Sequence, residues 1–318
     1  WVYDTSDGLM SIVYYHSNVE RGQIWKTWLA EHAPEQQLFI WPESGDPQAV
    51  KYLVCWEIPP NLQQLFPNLQ VIFSVGAGAD QFNYSLLPEG VAVVRMIEPG
   101  LKQDMVGYIT FSVLALQRGM PRYLQQQQQQ LWQKHPAPQA EHCRVGILGL
   151  GTLGQAAAGQ LLSLGFSCAG WSRTEKTVPG VRCWHGDEQL AEFLAHTDIL
   201  VCLLPLTGLT RGILCHSLFD QLPAGASLIH AGRGQQLNHD DLLRALDSGQ
   251  LSHAIVDVTD PEPLPKGHPF WSHPAIWLTP HMASETRPES AVKVLLENIH
   301  RHSRGEVMNG VIDPHRGY

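Results

Sequence analysis

Residues 144–173 read RVGILGLGTLGQAAAGQLLSLGFSCAGWSR. An apolar run leads into Gly149-Leu150-Gly151-Thr152-Leu153-Gly154, a helical stretch follows, and a second apolar run begins near Phe166 and ends at Trp171-Ser172-Arg173. A bare GxGxxG arises by chance in a chain with 28 glycines. The strand before it, the helix after it and the next strand beyond make this one specific, as the order of a dinucleotide-binding βαβ unit. Gly149 permits the tight turn, Gly151 lets the backbone approach a pyrophosphate, and Gly154 lets the helix pack closely on the strand. Thr152 and Leu153 open the helix, whose N-terminal N–H groups and dipole favour an anion.

At the end of the second strand such units usually carry an acid that binds the ribose hydroxyl and would repel a 2′-phosphate. Here the chain has Ser172 and Arg173, a hydroxyl donor and a guanidinium that forks onto phosphate oxygens, with Lys176 three residues on. NADPH is therefore expected in preference to NADH, which stays possible but less favoured. The bland alternative makes Arg173 a solvated loop residue.

Composition bounds the rest. A chain of 318 residues is about twice the ~150 of a typical domain, so two domains are expected. The net charge of −9, with no Lys/Arg block, argues against a nucleic-acid partner. No apolar stretch approaches the ~20 residues needed to span a bilayer, and nothing resembles a secretory signal. The six cysteines (Cys55, Cys143, Cys168, Cys183, Cys202 and Cys215) have no CxxC and no metal-ligand spacing, so no metal is expected. Cys202, within ILVCLL, reads as a buried reduced thiol. A soluble cytoplasmic protein without membrane contact follows as the expectation. Residues 1–9, WVYDTSDGL, precede Met10 and read as a leader foreign to the domain.

From Met10 to about Val94, short apolar runs (SIVYYH, QLFIW, YLVCW, LQVIFSV, VAVVRM) alternate with amphipathic stretches such as QIWKTWLAEH. Strands separated by helices predict a parallel sheet. Residues 101–118 carry apolar positions at helical spacing and predict a long helix crossing between domains. The six glutamines Gln125–Gln130 are either a disordered tract or, as we favour, a solvent-facing helix anchored by Leu124, Leu131 and Trp132. Six strand candidates follow: RVGILG, FSCAGW, TDILVCLLP, ASLIHAG, HAIVDV and AIWLTPH. Residues 288–303 form a last amphipathic helix that can return to the first domain. The expected fold is α/β, with two doubly wound parallel-sheet (Rossmann-like) domains and the cofactor domain inserted into the substrate domain. The substrate-binding domain would span 10–104 and 287–318, and the NADP-binding domain 105–286.

Three later stretches carry candidate chemistry. Arg233 follows the apolar strand ASLIHAG, Asp257 and Glu262 lie in IVDVTDPEPLP, and His281 follows the strand in IWLTPHMASETRP. Ligands of open α/β sheets gather outside the carboxyl ends of strands, which puts all three stretches on one side of the sheet. Arg233 offers a planar fork for carboxylate and carbonyl oxygens, with Gly232 and Gly234 beside it expected to leave room for a ligand. His281 as imidazolium offers the proton, and Glu262 beside it would raise its pKa. Backbone N–H groups around Gly76, Ala77 and Gly78 are candidates to grip the carboxylate. His239, His268 and His273 read as surface residues.

With GxGxxG, AGRG, DxxxxEPLP and TPH in that order, and SVGAGAD (Ser74–Asp80) upstream, the chain resembles the D-2-hydroxyacid dehydrogenase family over nearly its whole length after Met10. LPLTGLTRGIL, ALDSGQL, EPLP and HMASETRP make it look most like the glyoxylate/hydroxypyruvate reductase A branch. The resemblance implies NADPH-dependent reduction of small 2-oxoacids such as glyoxylate and hydroxypyruvate, with Arg233, Glu262 and His281 as catalytic residues. It also implies a homodimer, and places Leu153, Leu204, Pro205, Thr210, Ala231 and Asp257 along the cofactor. Two departures flank the arginine: His230 and Gly232 stand where Asn and Ala are expected. Other readings stay open, namely a D-lactate or phosphoglycerate type of dehydrogenase, or a dinucleotide-sensing corepressor-like binding module.

Overall fold

The computed structural model describes residues 10–313; the stretch 1–9, and with it the reading of a foreign leader, lies outside the described residues. The chain divides into two compact units, one comprising the residues up to Leu101 and from Glu285 onward, the other Lys102–Ser284. The division falls in the first turn of a long helix at one crossing and just before the last helix at the other.

In chain order, the first unit lays down β1 (Met10–Tyr15), α1 (Val19–His32), β2 (Gln36–Ile40), β3 (Val50–Cys55), α2 (Leu62–Leu65), β4 (Val71–Ser74) and β5 (Ala92–Val94). All pairings are parallel, in the order β2-β1-β3-β4-β5. Strands of a parallel sheet are covered on both faces, and β4, VIFS, is buried at every position. Asn18 starts α1 by accepting the Arg21 N–H at 3.0 Å.

The helix α3 (Pro99–Gln117) leads into the second unit and is followed by α4 (Met120–Gln128). The glutamine tract is thus helical through Gln128, but Gln126 is buried, while Leu124, Leu131 and Trp132 are exposed. The expectation of a solvent face holds for Gln127–Gln130, which are exposed, but one glutamine packs inward and the flanking apolar residues do not anchor the helix. Then come β6 (Arg144–Leu148), α5 (Thr152–Ser163), β7 (Ser167–Ser172), β8 (Arg182–His185), α6 (Leu190–Ala195), β9 (Ile199–Cys202), α7 (His216–Phe219), β10 (Ala226–His230), α8 (His239–Asp247), β11 (Leu251–Val256) and β12 (Ile276–Leu278). They form a parallel sheet in the order β12-β11-β10-β9-β6-β7-β8. The sequence predicted six strands, and the seventh is β8. Its four residues RCWH are mixed in polarity and lie at the sheet edge, where only Trp184 is buried, so it carries no apolar run to read.

The last helix, α9 (Pro288–Ser303), belongs to the first unit, where Ala291, Val292, Leu295 and Ile299 are buried with Ile12, Tyr14, Trp25 and Leu29. One buried carboxylate pins the start of both crossings. Glu98 accepts the N–H groups of Gly100 and Leu101 at 2.7 Å each, the Arg287 N–H at 3.3 Å and the Ser290 hydroxyl at 2.5 Å. Among the described residues, no helix is long and apolar enough to cross a membrane.

Candidate functional site

In the second unit's sheet the chain order reverses between β6 and β9, the switch point where such sheets open a crevice at their carboxyl ends. The turn after β6 lies at this switch point. Gly149 has φ +106°, a conformation L side chains rarely adopt, and a Cβ there would lie 2.9 Å from the Leu203 carbonyl oxygen. A Cβ on Gly154 would lie 2.0 Å from the Gly149 carbonyl oxygen, so helix α5 sits as close to the turn as backbone allows. A Cβ on Gly151 would meet no protein atom within 4 Å. That side of the turn is open, at the end of a twelve-residue helix whose first N–H groups have no carbonyl one turn earlier to accept them. A pyrophosphate fits such a cradle.

At the end of β7, Ser172 is buried and its hydroxyl donates to the Thr174 carbonyl at 2.8 Å, whereas Arg173 is exposed. The serine therefore shapes the turn, and Arg173 lies at the surface beside it. Thr210 behaves like Ser172, donating to the Pro205 carbonyl at 2.7 Å. Leu204 and Ala231 are buried at the ends of β9 and β10, and Leu153 is half-buried in the first turn of α5.

The candidate reacting groups follow β10, β11 and β12. His281 Nδ1 lies 2.8 Å from Glu262 Oε2, and both side chains are partly open to solvent. The hydrogen bond to Glu262 raises the His281 pKa above the ordinary value; burial and the charge of Arg233 oppose this. Burial pushes Glu262 the other way, but the bonds from His281 and from the Thr259 N–H (2.9 Å) outweigh it and hold the carboxyl below its ordinary value. The backbone of His281 sits at φ +52°, unusual for a residue with a Cβ. Its N–H donates to the Asp257 carbonyl at 2.8 Å. The Asp257 side chain holds the same turn: it accepts the Thr279 hydroxyl at 2.6 Å and the N–H groups of Met282 at 2.9 Å and Ala283 at 3.0 Å. Asp257 thus fixes the histidine turn rather than standing as a free acceptor. Tyr108, on α3, extends the chain through a 2.7 Å bond with the Thr279 hydroxyl. Sequence reading missed Tyr108 and Thr259, which have no motif of their own, and assigned no role to Thr279, the first residue of TPH.

Arg233 differs from the expectation in its surroundings. Gly232 and Gly234 leave no room for a ligand: a Cβ on Gly232 would lie 2.3 Å from Gln236 Oε1, and one on Gly234 only 1.9 Å from the Thr259 carbonyl oxygen. Protein fills both spaces, and Gly234 brings the arginine segment against the loop that carries Glu262. The guanidinium donates to the Gly232 carbonyl at 2.8 Å among other contacts. His230 is fully buried and its Nε2–H donates to the Arg233 carbonyl at 2.9 Å; burial drops its pKa to about 4, so it is neutral near pH 7. His239, His268 and His273 are not simple surface residues. The first two are bonded to each other at 3.1 Å against Phe270, and the His273 side chain is only 14% exposed. Phe270 holds the first two, and Asp247 and the Ala275 N–H hold His273, contacts that residue type alone could not reveal.

In the first unit, Gly76, Ala77 and Gly78 follow β4. Ser74 organises the loop, its hydroxyl donating to the Gly78 carbonyl at 2.7 Å and accepting from the Gly76 N–H at 3.3 Å.

Fold and site together define a parallel-sheet dinucleotide-binding oxidoreductase with an imidazole–carboxylate pair. Residues 110–283 match the family model described as D-isomer specific 2-hydroxyacid dehydrogenase, NAD binding domain. The chain belongs to that family. It is 39% identical over 315 residues to a glyoxylate/hydroxypyruvate reductase A of Yersinia enterocolitica, covering 97% of this chain and 100% of the relative. A D-isomer specific 2-hydroxyacid dehydrogenase from Xanthobacter autotrophicus, solved with NADPH and MES, superposes with a TM-score of 0.92 at 38% identity, covering 98% of this chain and all of that one. An NADPH-dependent glyoxylate/hydroxypyruvate reductase of Sinorhizobium meliloti, solved with NADP and sulfate, gives a TM-score of 0.89 at 32% identity, covering 97% of this chain and 100% of that one.

Proposed function

We propose that this protein reduces small 2-oxoacids, glyoxylate and hydroxypyruvate, to 2-hydroxyacids at the expense of NADPH. The observation that carries the reading is the His281–Glu262 pair at 2.8 Å, with the histidine pKa raised. Such a pair keeps an imidazolium available near neutral pH to protonate a forming alkoxide. Because Nδ1 is committed to Glu262, Nε2 is the nitrogen left to donate.

Gly149, Gly151, Thr152, Leu153 and Gly154 would hold the pyrophosphate, and Leu204, Pro205, Thr210, Ala231 and Asp257 would border the rest of the dinucleotide. Arg173 would take the 2′-phosphate, with Ser172 shaping its turn; the relatives solved with NADPH and NADP support that choice. When bound, the nicotinamide supplies the hydride. Arg233 binds the carboxylate and polarises the carbonyl. Its charge opposes protonation of His281, and a bound carboxylate would offset that charge, so substrate binding itself favours the proton-donor form. In the loop of Gly76, Ala77 and Gly78, the Gly76 N–H is held by Ser74, and the N–H groups of Ala77 and Gly78 would be suited to a carboxylate.

Six cysteines without a disulfide, four of them buried, support a reducing cytoplasmic setting. Phe111 and Leu114 on α3, and Leu124, Leu131 and Trp132, are exposed apolar residues that we assign to a homodimer contact, testable by sedimentation.

The decisive assay follows NADPH oxidation with glyoxylate and with hydroxypyruvate, in the wild type and in Arg233→Lys. Lysine keeps the charge but loses the fork, so KM should rise and kcat should fall together. Unchanged kinetics would remove Arg233 from the site, and with it the 2-oxoacid as substrate class.

A further inference from the structure

We propose that Gln236 is the positioning residue for Arg233, admitted to the core by the bare backbone of Gly232 and working with His230 to fix the arginine from both sides. The inference rests on Arg233 as the group that holds the 2-oxoacid. Gln236 has no exposed surface. Its Oε1 accepts the Arg233 N–H at 2.8 Å, while its Nε2 donates to the carbonyls of Leu204 and Pro205 at 3.1 Å each. An N–H donor on one side and two carbonyls on the other allow only one orientation of the amide. On the opposite face, His230 Nε2–H donates to the Arg233 carbonyl at 2.9 Å. Both backbone polar groups of Arg233 are therefore held by buried side chains, one of which also grips the segment that ends β9.

The two departures from the family pattern are explained together with Gln236. An alanine at 232 would put its Cβ 2.3 Å from Gln236 Oε1 and 3.2 Å from the Leu204 carbonyl oxygen. The end of a glutamine is normally free to move aside, but this one is enclosed and bonded at both atoms. Displacing it breaks three hydrogen bonds and leaves buried groups unpaired. Gly232 is thus the space that Gln236 needs, and the pair acts as one unit on the arginine. A neutral His230 fits the same design, because a buried imidazolium beside the arginine would add an uncompensated charge.

The test is a double-mutant cycle with Gly232→Ala, Gln236→Ala and the double variant. Glyoxylate kcat and KM, the KM for NADPH, and Tm are measured, with kinetics taken well below each Tm. Each single variant should lose roughly 10-fold in kcat/KM for glyoxylate, with glyoxylate KM changing more than NADPH KM. The double variant should be within about 2-fold of Gln236→Ala, because the alanine methyl then meets no amide. Losses that multiply in the double variant would overturn the proposal. If Gly232→Ala does not fold, Gln236→Ala decides alone: unchanged glyoxylate kinetics below its Tm means a merely structural glutamine. A wild type that oxidises NADPH with neither oxoacid would remove the substrate reading itself, whereas an active wild type with multiplicative losses removes only the role of Gln236.

Discussion

Gly234→Ala tests how the site is assembled, since this glycine joins the Arg233 segment to the Glu262 loop. An added Cβ would stand 1.9 Å from the Thr259 carbonyl oxygen, 2.0 Å from its carbon and 2.6 Å from the Asp260 nitrogen. Real contacts of a Cβ begin near 3.0 Å, so the backbone at 259–260 must retreat by about 1 Å. All three atoms are backbone, so no rotamer change can relieve the clash. The Thr259 N–H is bonded to Glu262 Oε1 at 2.9 Å, and Glu262 Oε2 is bonded to His281 at 2.8 Å. The displacement therefore passes directly to the proton donor. A misplacement of about 1 Å in a reacting constellation costs on the order of 10²-fold in rate, and overpacking of this kind costs about 1–3 kcal/mol of stability. The variant should bind NADPH near wild-type strength, melt a few degrees earlier, and lose about 100-fold in kcat with glyoxylate. NADPH fluorescence titration, a melting curve and the absorbance assay measure the three. A kcat within 3-fold of wild type would refute the idea that the contact between Gly234 and Thr259 sets the catalytic geometry.

Replacing His281 by Asn should lower kcat by about 10²–10⁴-fold, the range for loss of a general acid, while NADPH binding persists; loss of binding instead would assign the histidine to the cofactor. Glu262→Gln should shift the alkaline limb of the reduction profile to lower pH. The proton-donor form exists below the folded pKa of His281, and the hydrogen bond to Glu262 is the largest cause raising that pKa. The same sign holds for stability: the contribution of His281 is complete below its unfolded pKa and fades as pH rises through the raised folded one, so wild type and variant should converge in Tm at alkaline pH. Ser172→Asp with Arg173→Ile should raise the NADH-to-NADPH ratio of kcat/KM. A single hydrogen bond to a charged group contributes roughly 1.5–3 kcal/mol, or about 10- to 150-fold. A wild type indifferent to the two cofactors would contradict the role given to Arg173.

What the sequence determined by itself is what local rules and chain order can carry. The turn at Gly149–Gly154 was legible because a positive φ, an open approach and a close helix each require glycine at its own place. The order of strands and helices was legible because fully buried strands read as apolar runs, which is why β8, short and at an edge, was not. Arg233, Glu262 and His281 were read as a set because AGRG, DxxxxEPLP and TPH in that order resemble the family's motifs, and each follows the end of a strand in a sheet whose strands all run the same way. The tertiary structure alone decided what each of these residues touches. Gly232 and Gly234 look in sequence like space for a ligand, and the fold fills both with protein. Asp257 and Ser172 look like groups for a cofactor, but the Asp257 side chain is bonded to the distant His281 turn and the Ser172 hydroxyl to its own turn. Gln236 carries no signal at all, being one of many glutamines until the fold buries its amide between Arg233 and the end of β9. Hydrogen bonds and van der Waals contacts act over a few ångströms between residues far apart in the chain, and a linear pattern holds no record of them.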